Sequence, residues 1–276
     1  MRVTVVHSFY AGDQPSGENV AVQLQVAALR RAGIATRLVS VATDDLATHR
    51  GYKLRTAAGV ALGTGVDPTD EILAGRPDVV HVHNLFPNYS TRWLAGWRGP
   101  LVATIHNYRA MCAAGTLARD GHDCRECVGT RLALPALRHR CYHGSFAATM
   151  PMVAMLARGV PGNPLLQRAD RVIFLAPRAQ RIYLESGFDR PEAGILLPNF
   201  VAAQSIAEIS QPYRATAPWV YAGRLAPEKG IVAALRAWPA DVPLHVYGGG
   251  PDEAEVRRLA GLSPDPPSGF CASARG

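Results

Sequence analysis

Short β-branched runs alternate along this chain with longer stretches whose apolar residues recur at helical spacing. That is the pattern of βαβ units around a parallel sheet. RVTVVHS, residues 2–8, predicts a first strand, and a loop bearing Gly, Pro, Ser and Asn follows. In VAVQLQVAALRRAGI, Val22, Val26 and Leu29 share one helical face and Gly33 marks the stop. ATRLVSV predicts a second strand, TDEILAGRPDVVHVHN a helix, turn and strand, and PLVATIHN a further strand. RADRVIFLA, the helix PRAQRIYLESGF and the strand AGILLPNFV repeat the cycle.

The polar run 204–217 reads as a linker, after which the rhythm resumes: strand WVYAGRL, helix KGIVAALRAWPA, strand PLHVYGGG, helix PDEAEVRRLAG. The pattern predicts an α/β protein with a nearly complete doubly wound domain over 1–203 and the first part of a second over 218–262. Residues 263–276 are rich in Pro, Ser and Gly without periodicity and predict a disordered tail.

Composition narrows this picture. With 48% apolar and 18% charged residues among 276, the chain is of globular type. The net charge of +7 comes almost wholly from arginine, lysine occurring only at Lys53 and Lys229. The arginines are scattered and no basic run alternates with aromatics, which argues against nucleic acid as a partner. A positive cleft for a phosphorylated ligand fits the same charge. No apolar stretch is long enough for a signal peptide or a bilayer span, so a cytoplasmic location is expected. The most apolar stretch, SFAATMPMVAMLARGV at 145–160, predicts a buried or membrane-apposed helix, and with it comes the expectation of peripheral association at the inner membrane face.

Ligands of open α/β sheets bind beyond the carboxyl ends of the strands, and several segments put polar residues there. In PSGENVA, Ser16, Gly17, Glu18 and Asn19 precede a helix whose free N–H groups suit an anion; an N-cap with a tight turn is the plainer alternative. In VVHVHN, His81 and His83 share a strand face and Asn84 follows; a satisfied core histidine is the competing reading. In TIHNYR, His106 ends an apolar strand, where imidazole can exchange hydrogen bonds near neutral pH, and Asn107 follows. In VYAGRLAPEKGI a strand ends in Gly223, Arg224 follows at once, and Lys229 and Gly230 open a helix. Arg224 and Lys229 would converge on a diphosphate, whereas an exposed turn with two solvated cations is the bland alternative. VYGGGP adds Gly248, Gly249 and Gly250, whose backbone could approach a nucleotide.

Taken in order, HVHN, TIHN, LPNFV, GRLAPEKGI and HVYGGGP resemble the retaining glycosyltransferases of family 4 over residues 1 to about 261. The resemblance implies a GT-B-like fold, here one near-complete Rossmann-like N-terminal domain plus a partial second Rossmann-like domain. It implies transfer of a sugar, with retention, from a nucleotide-sugar donor to a hydroxyl of a glycan or lipid-linked acceptor, in polysaccharide or glycan biosynthesis, with no catalytic metal. By the same resemblance Arg224 and Lys229, flanked by Gly223 and Gly230, hold the donor diphosphate, Gly248–Gly250 lie near the nucleotide, and His106 faces the reacting sugar. The loop from Pro15 to Asn19 lies by sugar and acceptor, with His83, Asn84 and Asn107 expected on the acceptor side.

Ser16 stands where the family has the first of two glycines, and Asn107 where it has Asp. The family's E-x7-E pair has no counterpart here. A truncated or frameshifted gene would account for that and for the unmatched tail, and this chain is then expected to be a poor catalyst. An inactive remnant that only binds is one alternative. A nucleotide-sugar epimerase or oxidoreductase on a similar sheet is another, although the G-x-G-x-x-G turn is missing after the first strand.

Cys112, Cys124, Cys127 and Cys141 have the count and the tight central pair of a structural zinc site in an insertion at about 112–145, and four thiolates would leave no position open for catalysis. Free thiols are the alternative. Some family members are similar to this chain through the same insertion.

Overall fold

A computed structural model describes residues 1–12, 16–130, 132–201, 218–239, 241–261 and 271–274. The predicted linker lies outside the described residues, as does Pro15. The chain divides into two compact units: Met1–Thr116 with Glu126–Ala202, and Leu117–Arg125 with Ala203–Gly276.

In the first unit the elements are β1 (Arg2–Phe9), α1 (Gly17–Arg31), β2 (Ala35–Ala42), α2 (Thr43–Ala47), α3 (Tyr52–Leu62), α4 (Thr69–Ala74), β3 (Val79–Asn84), α5 (Trp93–Gly96) and β4 (Leu101–Ile105). After a short hairpin of the second unit, β5 (Ala118–Arg119) and β6 (His122–Asp123), come α6 (Leu134–Arg138), α7 (Phe146–Leu156), α8 (Pro164–Arg168), β7 (Arg171–Phe174), α9 (Pro177–Glu185) and β8 (Gly194–Leu196).

The sheet runs β2-β1-β3-β4-β7-β8 with every pairing parallel, a Rossmann-like α/β arrangement flanked by helices. Parallel strands covered on both faces need unbroken apolar runs. Accordingly β1 is buried from Val3 to Ser8 and β3 from Val80 to Asn84, while the edge strands β2 and β8 are mostly half-buried or exposed. Val3 and Val5 of β1 pack on Val22 and Val26 of α1, the helical stripe expected from spacing.

The chain leaves β1 to one side for β2 and then returns to the other side for β3. The crevice at such a reversal, between the carboxyl ends of β1 and β3, is where this class of sheet takes a ligand. α2 and α3 follow β2 and show no clean apolar stripe. α3 is bracketed instead by Gly51 and Gly63, both left-handed at φ 75° and 71°, conformations that cost glycine little. Tyr52 ties α3 down: its hydroxyl donates to Asn88 Oδ1 (2.7 Å), whose amide donates to Ser8 Oγ at the end of β1 (3.0 Å).

In the second unit β9 (Trp219–Ala222) and β10 (Leu244–Tyr247) are parallel, joined through α10 (Ile231–Arg236) and followed by α11 (Glu253–Leu259). Its core is small: Leu225, Ile231, Leu244, Val246 and Val256. The tail expected to be disordered over 263–276 departs from that expectation at β11 (Cys271–Ala274), which pairs antiparallel with β10. The unpaired N–H and C=O groups along the outer edge of β10 are a template for such pairing, whatever the periodicity of the added segment.

Candidate functional site

Four histidines meet at the carboxyl ends of the first unit's central strands. Side chains alternate along a strand, and in parallel register equivalent positions of neighbours share a face. His7 of β1 therefore follows Val3 and Val5 onto the α1 side. His81 pairs with Val5 and with Val102, which puts Thr104 and His106 on that side as well. The register between β1 and β3 then skips one residue, His7 opposing Asn84, so that His83 bulges. Bulges beside sites re-aim a side chain, and His83 stacks between His81 and His106, with ring centroids at 4.3 and 5.2 Å.

The hydrogen bonds follow from that stacking. His83 Nδ1 lies 2.9 Å from His106 Nε2, and His83 Nε2 lies 2.5 Å from Gln25 Oε1 of α1. His7 Nε2 meets Asn19 Oδ1 at 3.0 Å, and His81 Nε2 meets Thr104 Oγ1 at 2.8 Å. Burial lowers the pKa of His7, His81 and His106 to about 4 and that of His83 still further, so all four rings are neutral near pH 7. With Gln25 Oε1 accepting, His83 donates from Nε2 and accepts at Nδ1 from His106 Nε2–H. His106 Nδ1 then keeps its lone pair. His106 and His83 line a cavity of about 140 Å³ with Asn84, Asn107, Arg109 and Tyr183. The arrangement orients a neutral imidazole to accept a hydrogen bond from a hydroxyl.

The α1 N-terminus completes the site. Ser16 is the N-cap, its hydroxyl accepting from Asn19 N at 3.3 Å, so the capping alternative describes this residue. Gly17 is helical, and a Cβ built there would meet nothing within 4 Å, so the backbone at this position does not demand glycine. Glu18 points inward. Its Oε2 accepts from Asn107 Nδ2 (3.3 Å), and its buried Oε1 has no partner among the described residues. Burial raises the Glu18 pKa to about 7, outweighing the nearby Arg109 guanidinium and the Asn107 bond. Tyr10, buried and facing the Glu18 charge, is pushed up to about 12. Arg109 lies over the Phe86 ring at 4.1 Å and donates to Ala113 O at 3.3 Å.

Of the residues expected here, His83, His106, Asn107, Glu18 and Asn19 come together. Asn84 lines the cavity too, but its amide is bound to the backbone of Phe86 through two contacts of 2.9 Å, so it shapes the loop after β3. Sequence reasoning passed over His7, Tyr10, Gln25 and Arg109. His7 carried a signal: a polar residue on the buried face at the carboxyl end of an apolar strand.

The residues expected to hold a donor belong to the second unit. Arg224 and Lys229 are both exposed on the turn between β9 and α10, and Arg224 pairs with Glu228 at 3.8 Å. Gly230 is left-handed at φ 70° and forms the N-cap of α10. Gly223 N bonds Tyr247 O and Leu225 N bonds Gly249 O, each at 2.9 Å, which draws the β9–α10 turn against the glycine run. A Cβ at Gly248 would overlap Gly223 O, and one at Gly250 would overlap Leu225 O. These two glycines thus have a reason in the fold itself, beyond any nucleotide.

Cys112, Cys124, Cys127 and Cys141 are each half-buried. Cys124 belongs to the second unit and Cys112, Cys127 and Cys141 to the first. Among the described residues no group of three or more His, Cys, Asp or Glu side chains is gathered to hold a metal ion. Cys127 and Cys141 pack against the apolar cluster of Ala133, Ala136 and Met152, and Glu126 and His139 pair at 3.4 Å, so packing and polar contacts hold this loop together.

Fold and site together define a Rossmann-like α/β protein with a neutral histidine cluster at its topological switch point. No protein-family model matches the chain, and no curated protein matches it. No helix among the described residues is long and apolar enough to cross a membrane.

Proposed function

We propose that the chain is a GT-B-like glycosyltransferase that moves a sugar, with retention, from a nucleotide-sugar donor to a hydroxyl of a glycan or lipid-linked acceptor. One observation carries the reading: His83, His106, Asn107, Glu18 and Asn19, drawn from three separate segments, converge at the β1/β3 switch point beside the N-terminus of α1. In this reading His106 accepts a hydrogen bond from a sugar hydroxyl at Nδ1, with Gln25 and His83 setting its tautomer. Glu18, poised near neutral pH, can take or return a proton. Arg224 and Lys229 offset charge on the leaving diphosphate, the exposed Arg224 exchanging its long contact with Glu228 for phosphate oxygens.

The test is binding and turnover of a panel of nucleotide sugars by the chain. Arg224→Ala is expected to weaken donor binding by about 1.5–3 kcal/mol, the range for hydrogen bonds to charged groups. His106→Ala is expected to lower turnover with donor affinity unchanged. No binding of any nucleotide sugar, or equal affinity in the Arg224 variant, would refute the reading.

A further inference from the structure

We propose that the cavity lined by His106 is a subsite for a phosphomonoester, held by Arg158 and Arg109 and carried by the hydroxyl acceptor. Both arginines line that cavity, and no Asp or Glu does. Arg158 follows α7, and its guanidinium lies against Gly63, the left-handed C-cap of α3, with both Nη atoms 3.5 Å from where a Cβ would stand. The wall recedes at that point because a side chain on Gly63 would press on Thr91 Oγ1 at 2.7 Å. Arg158 is exposed, and among the described residues its guanidinium donates only to Ala61 O, at 3.5 Å, and has no ion pair. Its fork is therefore open to a ligand.

Arg109 is packed over Phe86 and bound to Ala113 O, yet its buried Nε has no partner among the described residues. Buried orphan donors are rare in folded chains and call for an explanation, which a bound anion supplies. Glu18 acts on Arg109 without forming an ion pair, and its raised pKa of about 7 leaves that cation only partly offset near neutral pH. Asn163 adds a neutral donor to the wall. Its Oδ1 caps α8 by accepting from Leu165 N and Leu166 N, and its Nδ2 has no partner among the described residues. Two guanidinium forks and an amide, with no carboxylate between them, suit a dianion rich in acceptor oxygens. A phosphomonoester has that charge and three such oxygens, whereas a single carboxylate would leave one cation unmatched. The apolar walls at Val60, Leu85 and Met155 strengthen these charged hydrogen bonds by keeping water away. At about 140 Å³ the cavity has room for such a group. His106 Nδ1, free to accept from a hydroxyl, lines the same space, so one molecule bearing a hydroxyl and a phosphate can meet both. Its role as the acceptor rests on the transferase reading, and the anion subsite does not.

The test is calorimetric titration of the full chain, in phosphate-free buffer without nucleotide sugar, with glucose 6-phosphate, dihexanoyl phosphatidic acid and glucose. At least one of the two phosphomonoesters is expected to bind saturably, and glucose not to bind. The tighter of the two tells whether the group comes on a soluble polyol or on a lipid. Arg158→Gln is expected to weaken that binding about tenfold or more, and Arg158→Lys less, since lysine keeps the charge and loses the fork. Arg109→Lys, which also keeps the charge, is expected to weaken it too. Arg31→Gln removes the same charge at the far end of α1 and is expected to leave it unchanged. Thermal melting of each variant checks that it remains folded. Binding of neither ester, equal binding of glucose, or equal loss with Arg31→Gln would overturn the proposal. So would loss in the chain with Arg224→Ala and Lys229→Ala instead of in Arg158→Gln, which would place the anion in the second unit. Because no donor is present, failure of the nucleotide-sugar test leaves this result standing, and the reverse holds as well.

Discussion

Burial holds Glu18 protonated up to about pH 7 and holds His7, His81 and His106 neutral down to about pH 4, so the first unit carries opposing titrations. An acid whose folded pKa is raised stabilises the fold below its unfolded value, and that contribution is lost as pH rises through the folded value. Glu18 therefore costs stability progressively between about pH 4.5 and 7. Glu18→Gln should remove this loss, melting higher than the parent above pH 7 by an amount on the order of 2–3 kcal/mol and alike at pH 4. A constant difference across that range would show that the carboxyl does not titrate there. The histidines act in the opposite sense. Their folded pKa values are depressed, so their contribution is complete above about pH 6.5 and lost as pH falls toward 4. Because the histidines outnumber Glu18, the melting temperature of the first unit should fall on acidification from pH 6.5. His81→Asn should flatten that slope in a pH series of melts.

Elements depend on a few positions where backbone geometry or capping is decisive. Gly248 has φ 146° and its missing Cβ leaves room for the carbonyl of Gly223. Gly248→Ala should prevent the turn after β10 from closing on the turn after β9, at a cost of about 2 kcal/mol or more. Gly249→Ala should be tolerated, because a Cβ there meets nothing nearer than Glu253 Oε2 at 3.7 Å. Urea titrations read by Trp238 fluorescence separate the two, and equal midpoints would refute the claim. At α1, Ser16→Ala should cost about 1 kcal/mol through the lost N-cap. α3 was the longest of the helices that periodicity did not reveal. Gly59 sits inside it, where a side chain would press on Thr64 O at 2.7 Å, and both its ends are glycines that a sequence reader takes for loop.

At the scale of the whole chain, the two units differ in how much apolar surface they enclose. The first has a six-stranded sheet with helices against it, and the second a three-stranded sheet over a core of five buried residues among those described. Val220 and Trp219 of β9 remain exposed, as an edge strand with little cover would leave them. Hydrogen exchange should therefore find β1, β3 and β4 the slowest elements and β9 and β10 faster by orders of magnitude. Similar protection in both units would contradict this. The six strands of the first unit's sheet, the stripe of α1, and His83 and His106 at strand ends were legible in the linear chain, because period 2 and period 3.6 are local properties that a few residues express. The partners were not. His83 meets His106 from 23 positions away, and Asn107 meets Glu18 from 89 away. Those meetings follow from the strand order and from one skipped residue in register, which long-range packing decides. Local periodicity is silent on both, so the candidate residues belong to the sequence and the site belongs to the tertiary structure.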